Sequence, residues 1–378
     1  MASWDAIVIG LGGVGSAAAY HLAHNGQHVL GIDQYPAVHA LGSSHGQTRI
    51  IRQAYFEHSA YVPLLRRAYA LWDELGERAG AQFLYRTGLV EFGPADGVVI
   101  PGVLRSARDH NLEVELLSVE EVNRRWPQMS APPHLQAVIE REAGYLKVEE
   151  CVAAQLKLAK QAGATLLHET PVIDWQADGA GVKVTTHSGI YRAARLILAA
   201  GPWTAQLFTD MRIPLQVTRK YQYWYQPQST GFLQEDGFPC FFHETPAGYF
   251  YGFPAIDAEG VKVARHSGGV PIHQPTEVHP TDAADRQQVE RYTAEYLPLL
   301  GNQLHRQVGC YYTLTPDEHF IVDLHPGHSQ VVIVAGLSGH GFKFTSVLGE
   351  IACQLALNGQ TVHDTKLFAI HARTSSHF

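Results

Sequence analysis

The glycines Gly10-x-Gly12-x-x-Gly15, with Gly13 and Val14 between them, follow a β-branched run and open an Ala-rich stretch, and Asp33 stands eighteen residues after the last of them. Glycine lets the backbone approach a pyrophosphate at a helix N-terminus, where free N–H groups and the helix dipole favour an anion, and the acid accepts ribose hydroxyls. A carboxylate at Asp33 also repels a 2′-phosphate, which leaves NAD or FAD as the dinucleotide. Next, Gly42-Ser-Ser-His45-Gly46-Gln47-Thr48-Arg49-Ile-Ile-Arg52 packs two arginines, a histidine and small polar residues into eleven positions. Arginines three apart lie on one side of a helical turn, or both line a loop beside a cofactor. The plainer alternative is a surface turn whose arginines pair with acids.

Near the other end of the chain, Gly336-Leu-Ser-Gly339-His340-Gly341-Phe342-Lys343 runs towards a helix that begins after Thr345. A helix N-terminus there puts positive potential beside whatever docks, and Lys343 adds a full charge. Reduced flavin is negative at one edge of its ring, so such a loop favours that form and promotes substrate oxidation; the rival is a capping loop with an exposed lysine. Cys310, in Cys310-Tyr-Tyr-Thr-Leu-Thr-Pro-Asp317-Glu318-His319-Phe320-Ile-Val-Asp323, reads by composition as a small buried hydrophobe between aromatics.

These residues need a frame. Asp5–Gly10, Val14–Asn25 and Gln27–Asp33 read as strand, helix and strand, a βαβ unit with parallel pairing. Tyr61–Leu75 carries Val62, Leu65, Ala68, Tyr69 and Trp72 at helical spacing, and Gln82–Phe92 turns strand-like. Val98–Pro132 reads as an insertion of polar and Pro-rich turns around one short helix, Ser118–Trp126. A helix over Val148–Ala162 is followed by short strands at Thr165–His168, Val172–Gln176, Val182–Thr186 and Tyr191. Arg195–Gly201 is then a buried parallel strand running into glycine, with Pro202 and Trp203 beyond it. Thr218–Lys262, dense in Tyr and Phe, reads as an antiparallel sheet with one side facing a pocket, under a helix at Asp285–Leu297. Val331–Ala335 and the stripe Val347, Leu348, Ile351, Ala352 and Leu355 return the chain to the first unit.

A chain of 378 residues exceeds one small domain and suggests two or three folding units. With 46% hydrophobic and 17% charged residues it is no disordered chain. Its formal charge of −8 argues against a broad basic surface for nucleic acid or anionic membrane, so an anionic ligand must be held by a few placed cations. Met1–Asp5 lacks the regions of a signal peptide, no run reaches the ~20 apolar residues of a membrane span, and Ser375–Phe378 is not a peroxisomal address. The four cysteines are far apart with no CxxC pair, which predicts no zinc site or disulfide framework and fits reduced thiols in a cytoplasm.

Five blocks in order resemble the monomeric sarcosine oxidase family, the flavoproteins that oxidise N-methyl and cyclic secondary amino acids, with N-methyltryptophan and pipecolate oxidases as close relatives. They are Gly42–Arg52, Tyr251–Pro254, Lys262 with His266, Cys310–Asp323 and Gly336–Phe344. The resemblance implies an FAD bound covalently by an 8α-S-cysteinyl bond at Cys310, which displaces the compositional reading of that residue. His45 and Arg49 would lie beside the isoalloxazine ring, Arg52 and Lys343 would hold the substrate carboxylate, and Tyr251 and His266 would line the substrate site. Lys262 matches the lysine that promotes reaction with O2, since an ammonium stabilises the superoxide that forms. Gly10, Gly12, Gly13, Val14, Gly15, Asp33, Gln34, Ser43, Ser44, Arg49, Val172, Gly201, Trp203, Cys310, Gly339, Gly341 and Lys343 form the implied cofactor set, with no metal. Three positions depart from the sarcosine pattern: Gln47 stands for an acid, Tyr311 for Met or Leu, and Arg265 for an aromatic.

The expected architecture is α/β: a Rossmann-type, glutathione-reductase-like FAD-binding unit (1–85, 140–215 and 310–378) plus an α+β substrate unit with a mainly antiparallel sheet (86–139 and 216–309). The expected activity is oxidative demethylation of sarcosine to glycine, formaldehyde and H2O2, by a cytoplasmic monomer. N-methyltryptophan or an imino acid such as pipecolate or proline is the alternative substrate. An NAD-dependent dehydrogenase and a flavin-bearing subunit without turnover are the rivals from other classes.

Overall fold

The computed structural model describes residues 3–208, 213–275 and 281–370; the targeting expectation at Ser375–Phe378 lies outside them. Two large sheets organise these residues. In the first, eight strands include a parallel core, Thr165–Leu167, Val29–Ile32, Ser3–Ile9, Gly189–Leu198 and His328–Ala335, paired in that order. Val172–Asp178 and Gly181–Thr186 extend it as an antiparallel meander, and Ile321–His325 forms a hairpin with His328–Ala335. The parallel pairing expected for the first βαβ unit and for the strand ending at Gly201 is therefore present.

Strands buried on both faces carry near-continuous apolar runs, and Ala6–Ile9, Val29–Ile32 and Val331–Ala335 are all of that kind. The helices Gly13–His24, Val62–Ala79, Val148–Gln161 and Thr345–Asn358 cover one face in a single apolar core. Helices Gly13–His24 and Thr345–Asn358 pack closely because Gly349 lacks a side chain: a Cβ there would lie 2.4 Å from the Cβ of Ala17. Among the described residues no helix is long and apolar enough to cross a membrane.

The second sheet has nine strands and is antiparallel except where Leu89–Gly93 runs parallel to Cys240–Thr245. Its strands alternate in the manner expected for a sheet with two different faces. Tyr221, Tyr223 and Tyr225 of Gln216–Tyr225 join Phe250 and Val263 in a core under the helix Ala283–Tyr296, where Phe250 stacks on Tyr292 at 4.4 Å. The intervening Lys220, Gln222 and Trp224 lie on the opposite face with Lys262, Tyr251 and Cys310, each placed there by cross-strand register. That face looks onto the Gly42–Arg52 segment.

One stretch departs from the sequence reading. Residues Val99–His110 form a twelve-residue helix where the insertion was expected to hold only turns around Ser118–Trp126. Pro101 lies in its first turn, where a missing N–H breaks no helical bond. The Glu244 carboxylate caps the helix from the second sheet, accepting the N–H groups of Val98 and Val99 at 2.8–3.0 Å. Gly102 is required as well, because a Cβ would meet the Phe56 carbonyl oxygen at 2.6 Å.

Candidate active site

Four parallel strands end at one edge of the first sheet, and their loops begin at Gly10, Asp33, Ala199 and Gly336. Ligands of open α/β sheets bind in the crevice outside such carboxyl ends. Here the crevice is continuous from Gly10–Val14 and Asp33 to Arg52, Tyr251, His266 and Lys343, where it reaches the second sheet.

At the first end the backbone is packed too tightly for side chains. Gly10 turns at φ 88°, and a Cβ on it would lie 2.5 Å from the Ala199 carbonyl oxygen; on Gly15 it would lie 1.6 Å from the Gly10 oxygen. Gly15 thus sits beneath the crevice as a packing residue, while Gly12, Gly13 and Val14 line it. The helix starting there has no acid in its first turn, and the Gly13 N–H donates to Ser44 Oγ at 3.0 Å. Asp33 is buried; its Oδ2 accepts the Leu11 N–H at 2.7 Å and its Oδ1 the Tyr35 N–H at 2.9 Å. A carboxylate has about four acceptor directions, so some remain for hydroxyl donors. Gln34, Ser43, Val172, Gly201 and Trp203 complete this wall. A bare helix N-terminus, a glycine cradle and a buried acid fit the pyrophosphate and ribose of FAD.

The Gly42–Arg52 segment is no helical turn. Thr48–Ile51 is a strand paired with Gly144–Lys147, and Gly46 and Gln47 precede it at φ 89° and 70°. The Glu149 carboxylate holds that bend by accepting both their N–H groups, at 2.6 Å from Gly46 and 3.0 Å from Gln47. Arg49 donates to the carbonyls of Ser43 at 3.0 Å and Thr48 at 2.9 Å, and to Gln222 Oε1 at 3.3 Å. His45 is buried with Nε2 3.1 Å from the Gly42 oxygen. The departure residue Gln47 is held by Trp224 Nε1 and donates to Asp257, away from the crevice.

Lys262 lies behind this bend, 1% exposed. Its Nζ donates to the carbonyls of Gly46 at 2.6 Å and Thr48 at 2.8 Å, with the Phe253 ring at 4.7 Å and Trp224 at 5.3 Å. Burial, reinforced by Arg49, pushes its pKa well below the ordinary lysine value.

Arg52 and Lys343 meet at the second end, and neither is a surface group. Arg52 Nη2 donates to Glu57 at 2.7 Å, its Nε lies 3.4 Å from Glu91, and its guanidinium sits over the rings of Phe56, Tyr55 and Phe242. Burial raises the Glu91 carboxyl to about 8, so it is largely protonated at neutral pH. Burial acts on Glu57 in the same direction, but Arg52, His340 and Lys343 outweigh it and hold it low. Lys343 Nζ donates to the His340 carbonyl at 2.7 Å, and burial followed by the Arg52 charge lowers it to about 7. Glu57 therefore already neutralises Arg52, and the surplus positive charge an incoming carboxylate meets is that of Lys343.

Aromatic side chains close the cavity around these cations. Tyr312 OH lies 3.3 Å from His266 Nδ1, and the His266 ring is edge-on to Phe242 at 5.9 Å and Tyr251 at 6.4 Å. Burial raises Tyr251 to about 12 and lowers His266 to about 3, so both are uncharged at neutral pH. Gly339, at φ 78°, is needed where the loop crosses Tyr312, since a Cβ would touch its ring at 2.3 Å; Gly341 likewise packs on Leu337. Cys310 is buried in the strand Leu304–Leu314 behind the lining formed by Tyr311, Tyr312 and Thr313, and Ser43 Oγ donates to the Tyr311 carbonyl at 2.7 Å.

The sequence reading did not single out Glu57, Glu91, Tyr55, Phe242, Tyr312, His340 or Glu149. Two signals pointed to the acids: a buried arginine demands a carboxylate, and Glu91 interrupts the otherwise apolar run Leu89–Phe92.

The model of the FAD dependent oxidoreductase family matches residues 5–355. Monomeric sarcosine oxidase of Bacillus sp. (strain B-0618) is 39% identical over 376 residues, covering 97% of this chain and 96% of the relative. The enzyme of that name from Streptomyces avermitilis is 40% identical over 371 residues, covering 97% of each chain. N-methyl-L-tryptophan oxidase of Citrobacter koseri is 38% identical over 374 residues, with 98% and 99% covered. Among solved structures, the open form of NikD, an amino acid oxidase of nikkomycin biosynthesis, superposes with a TM-score of 0.86 at 25% identity over 98% of both chains.

Proposed function

The chain belongs to the FAD dependent oxidoreductase family, and within it we propose an oxidase of secondary amino acids whose substrate is sarcosine, oxidised to glycine and formaldehyde with release of H2O2. The observation that carries this reading is the buried Arg52–Lys343 pair among neutral aromatic side chains at the end of a dinucleotide crevice. Membership of an FAD family leaves the NAD alternative without support.

When bound, FAD supplies a two-electron acceptor for the C–N bond and passes the electrons to O2. Gly10–Val14 and Asp33 would hold its pyrophosphate and ribose, with His45 and Arg49 further along and Cys310 as the thiol of a covalent tether. Arg52 and Lys343 anchor the substrate carboxylate by charge-assisted hydrogen bonds. Their charge also disfavours the ammonium form of the substrate, so its amine more readily gives up the proton that blocks oxidation. Tyr251 and His266, both neutral, border the amine without restoring that proton and keep bulk water out. Lys262 offers a positive charge where O2 is reduced. We also propose the FAD-binding and substrate units delimited above, a monomer as in the relatives' name, and a cytoplasmic setting supported by four free cysteines.

The test is peroxide release with sarcosine, N-methyltryptophan, pipecolate and proline in parallel. Sarcosine should give the highest kcat/KM. Failure of every secondary amino acid to bleach the yellow protein without air overturns the reading, and preference for an imino acid replaces sarcosine only.

A further inference from the structure

Lys220 is a buried ammonium that the amine oxidation above does not use. It is 2% exposed, its stem is pressed against Gly269, and its Nζ donates to the carbonyls of Ser267 at 2.6 Å and Gly268 at 3.2 Å. Its hydrogen-bond partners are neutral carbonyls, and an ion kept from water in this way is favoured only where negative charge lies or develops nearby, as at Asp285 and Cys310. Strand register identifies that place. Lys220 is directly opposite Cys310 on the neighbouring antiparallel strand, which puts the two side chains on one face with Cβ atoms about 5 Å apart. The same Nζ is 5.6 Å from the ring of Tyr312, the next residue along that face.

We propose that Lys220 is a positioning residue whose ammonium favours the Cys310 thiolate and thereby promotes covalent attachment of FAD to that sulfur. The inference rests on the tether reading given above. In the step, the thiol proton is lost and the sulfur bonds to a methyl carbon of the flavin benzenoid ring. That carbon loses a proton, and the electron pair of its broken C–H bond passes through the ring to O2. Thiol, methyl group and O2 thus give thioether and H2O2, with O2 as the only oxidant.

The groups acting on Lys220 besides Cys310 are Asp285 and Asp282 of the covering helix and its neighbour, and Arg265. Lys262 also feels Cys310, along with Arg49, Glu149 and Arg306; Tyr251 and Tyr312 face the same sulfur. Lys262 is fixed to the Gly46–Thr48 bend, whereas Lys220 is the cross-strand partner. Burial lowers Lys220 to about 8, so its charge is present below that pH and lost above it.

The experiment loads full-length chain, produced without riboflavin, with FAD in air between pH 6 and 9. Samples are quenched in acid, and flavin fluorescence of the denatured band is followed with time. At pH 7, Lys220→Met should form the bond at least about tenfold more slowly than wild type, while its visible spectrum still shows bound FAD. The two rates should converge above pH 8. Lys220→Arg should match wild type at pH 7 and exceed it above pH 8, since guanidinium keeps its charge; that profile decides the matter even if the Met variant fails to bind FAD. Equal rates for Met and wild type at pH 7, or an Arg variant as slow as Met, overturn the inference. An unlabelled wild-type band, or a labelled Cys310→Ser band, overturns the tether itself.

Discussion

Replacing Lys262 by methionine separates a residue kept for chemistry from one kept for packing. The two side chains have similar length and volume, so the pocket between Phe253 and Trp224 stays filled. What disappears is a buried charge and three hydrogen bonds, to the carbonyls of Gly46 and Thr48 and to the Thr48 hydroxyl. Neither carbonyl is stranded, because the Thr48 N–H still donates to the Gly46 oxygen and Arg49 to the Thr48 oxygen; the lost charge-assisted bonds, worth roughly 1.5–3 kcal/mol each, are offset by relief of the desolvation of the ammonium, which is itself several kcal/mol. Net stability should therefore change by less than about 2 kcal/mol near neutral pH. The pH dependence should change more clearly. The folded chain holds the Lys262 proton more weakly than the unfolded chain, so wild type gains stability as pH rises from the lowered folded pKa towards 10.5, and the variant loses that gain. For the reaction with O2, a unit charge about 5 Å from the superoxide that forms, at an effective permittivity of about 20, is worth about 3 kcal/mol, or roughly two orders of magnitude in rate. Stopped-flow reduction by sarcosine without air should match wild type within about threefold, while reoxidation by O2 should slow about a hundredfold. Reoxidation at the wild-type rate would refute the role of Lys262, and a large fall in melting temperature with both half-reactions slowed would make the residue structural.

Three further outcomes follow from the same geometry. Gly15→Ala places a methyl 1.6 Å from the Gly10 oxygen, so the variant should be recovered colourless or insoluble; a yellow protein with wild-type spectrum would contradict the tight cradle. Arg52→Ala removes one carboxylate anchor and strands Glu57 and Glu91, so kcat/KM for sarcosine should fall at least about a hundredfold, and stability should drop by about 3–5 kcal/mol, read by denaturant titration. Lys343, lowered to about 7, presents its full charge only below that pH, so inhibition by propionate, which has a carboxylate and no amine, should weaken as pH rises from 6 to 9. Lys343→Met should flatten that trend between pH 6 and 7.5, leaving above it only the part set by ionisation of Glu91, and an unchanged pH profile in the variant would exclude Lys343 as its source.

The parts of the fold read most directly from sequence are those in which one local pattern decides the environment. The run Ala6–Ile9 into Gly10 admits only a doubly buried strand feeding a tight turn, and the strand and helix are there. Where one element serves two environments the pattern breaks. Gly189–Leu198 is a single ten-residue strand, yet it read as a strand at Tyr191 and another at Arg195–Gly201. Its first half pairs antiparallel with Gly181–Thr186 and alternates in exposure, while its last three residues, Leu196–Leu198, lie between parallel strands Ser3–Ile9 and His328–Ala335 and are fully buried. Helix Val99–His110 was hidden for another reason: its cap, Glu244, comes from far along the chain, and no local signal can announce a tertiary cap. The site divides in the same way. Residues whose chemistry is their own, such as the glycine cradle, Asp33, Arg52 and Lys343, were legible and line one crevice. Residues that set the charge of others were not, because Glu57 and Glu91 act through their contact with Arg52 and the field they place on Lys343. That contact decides the electrostatics: with Arg52 neutralised by Glu57 and Glu91 protonated, the affinity of the cavity for a carboxylate is governed by Lys343, whose proton is the one that neutral pH can remove.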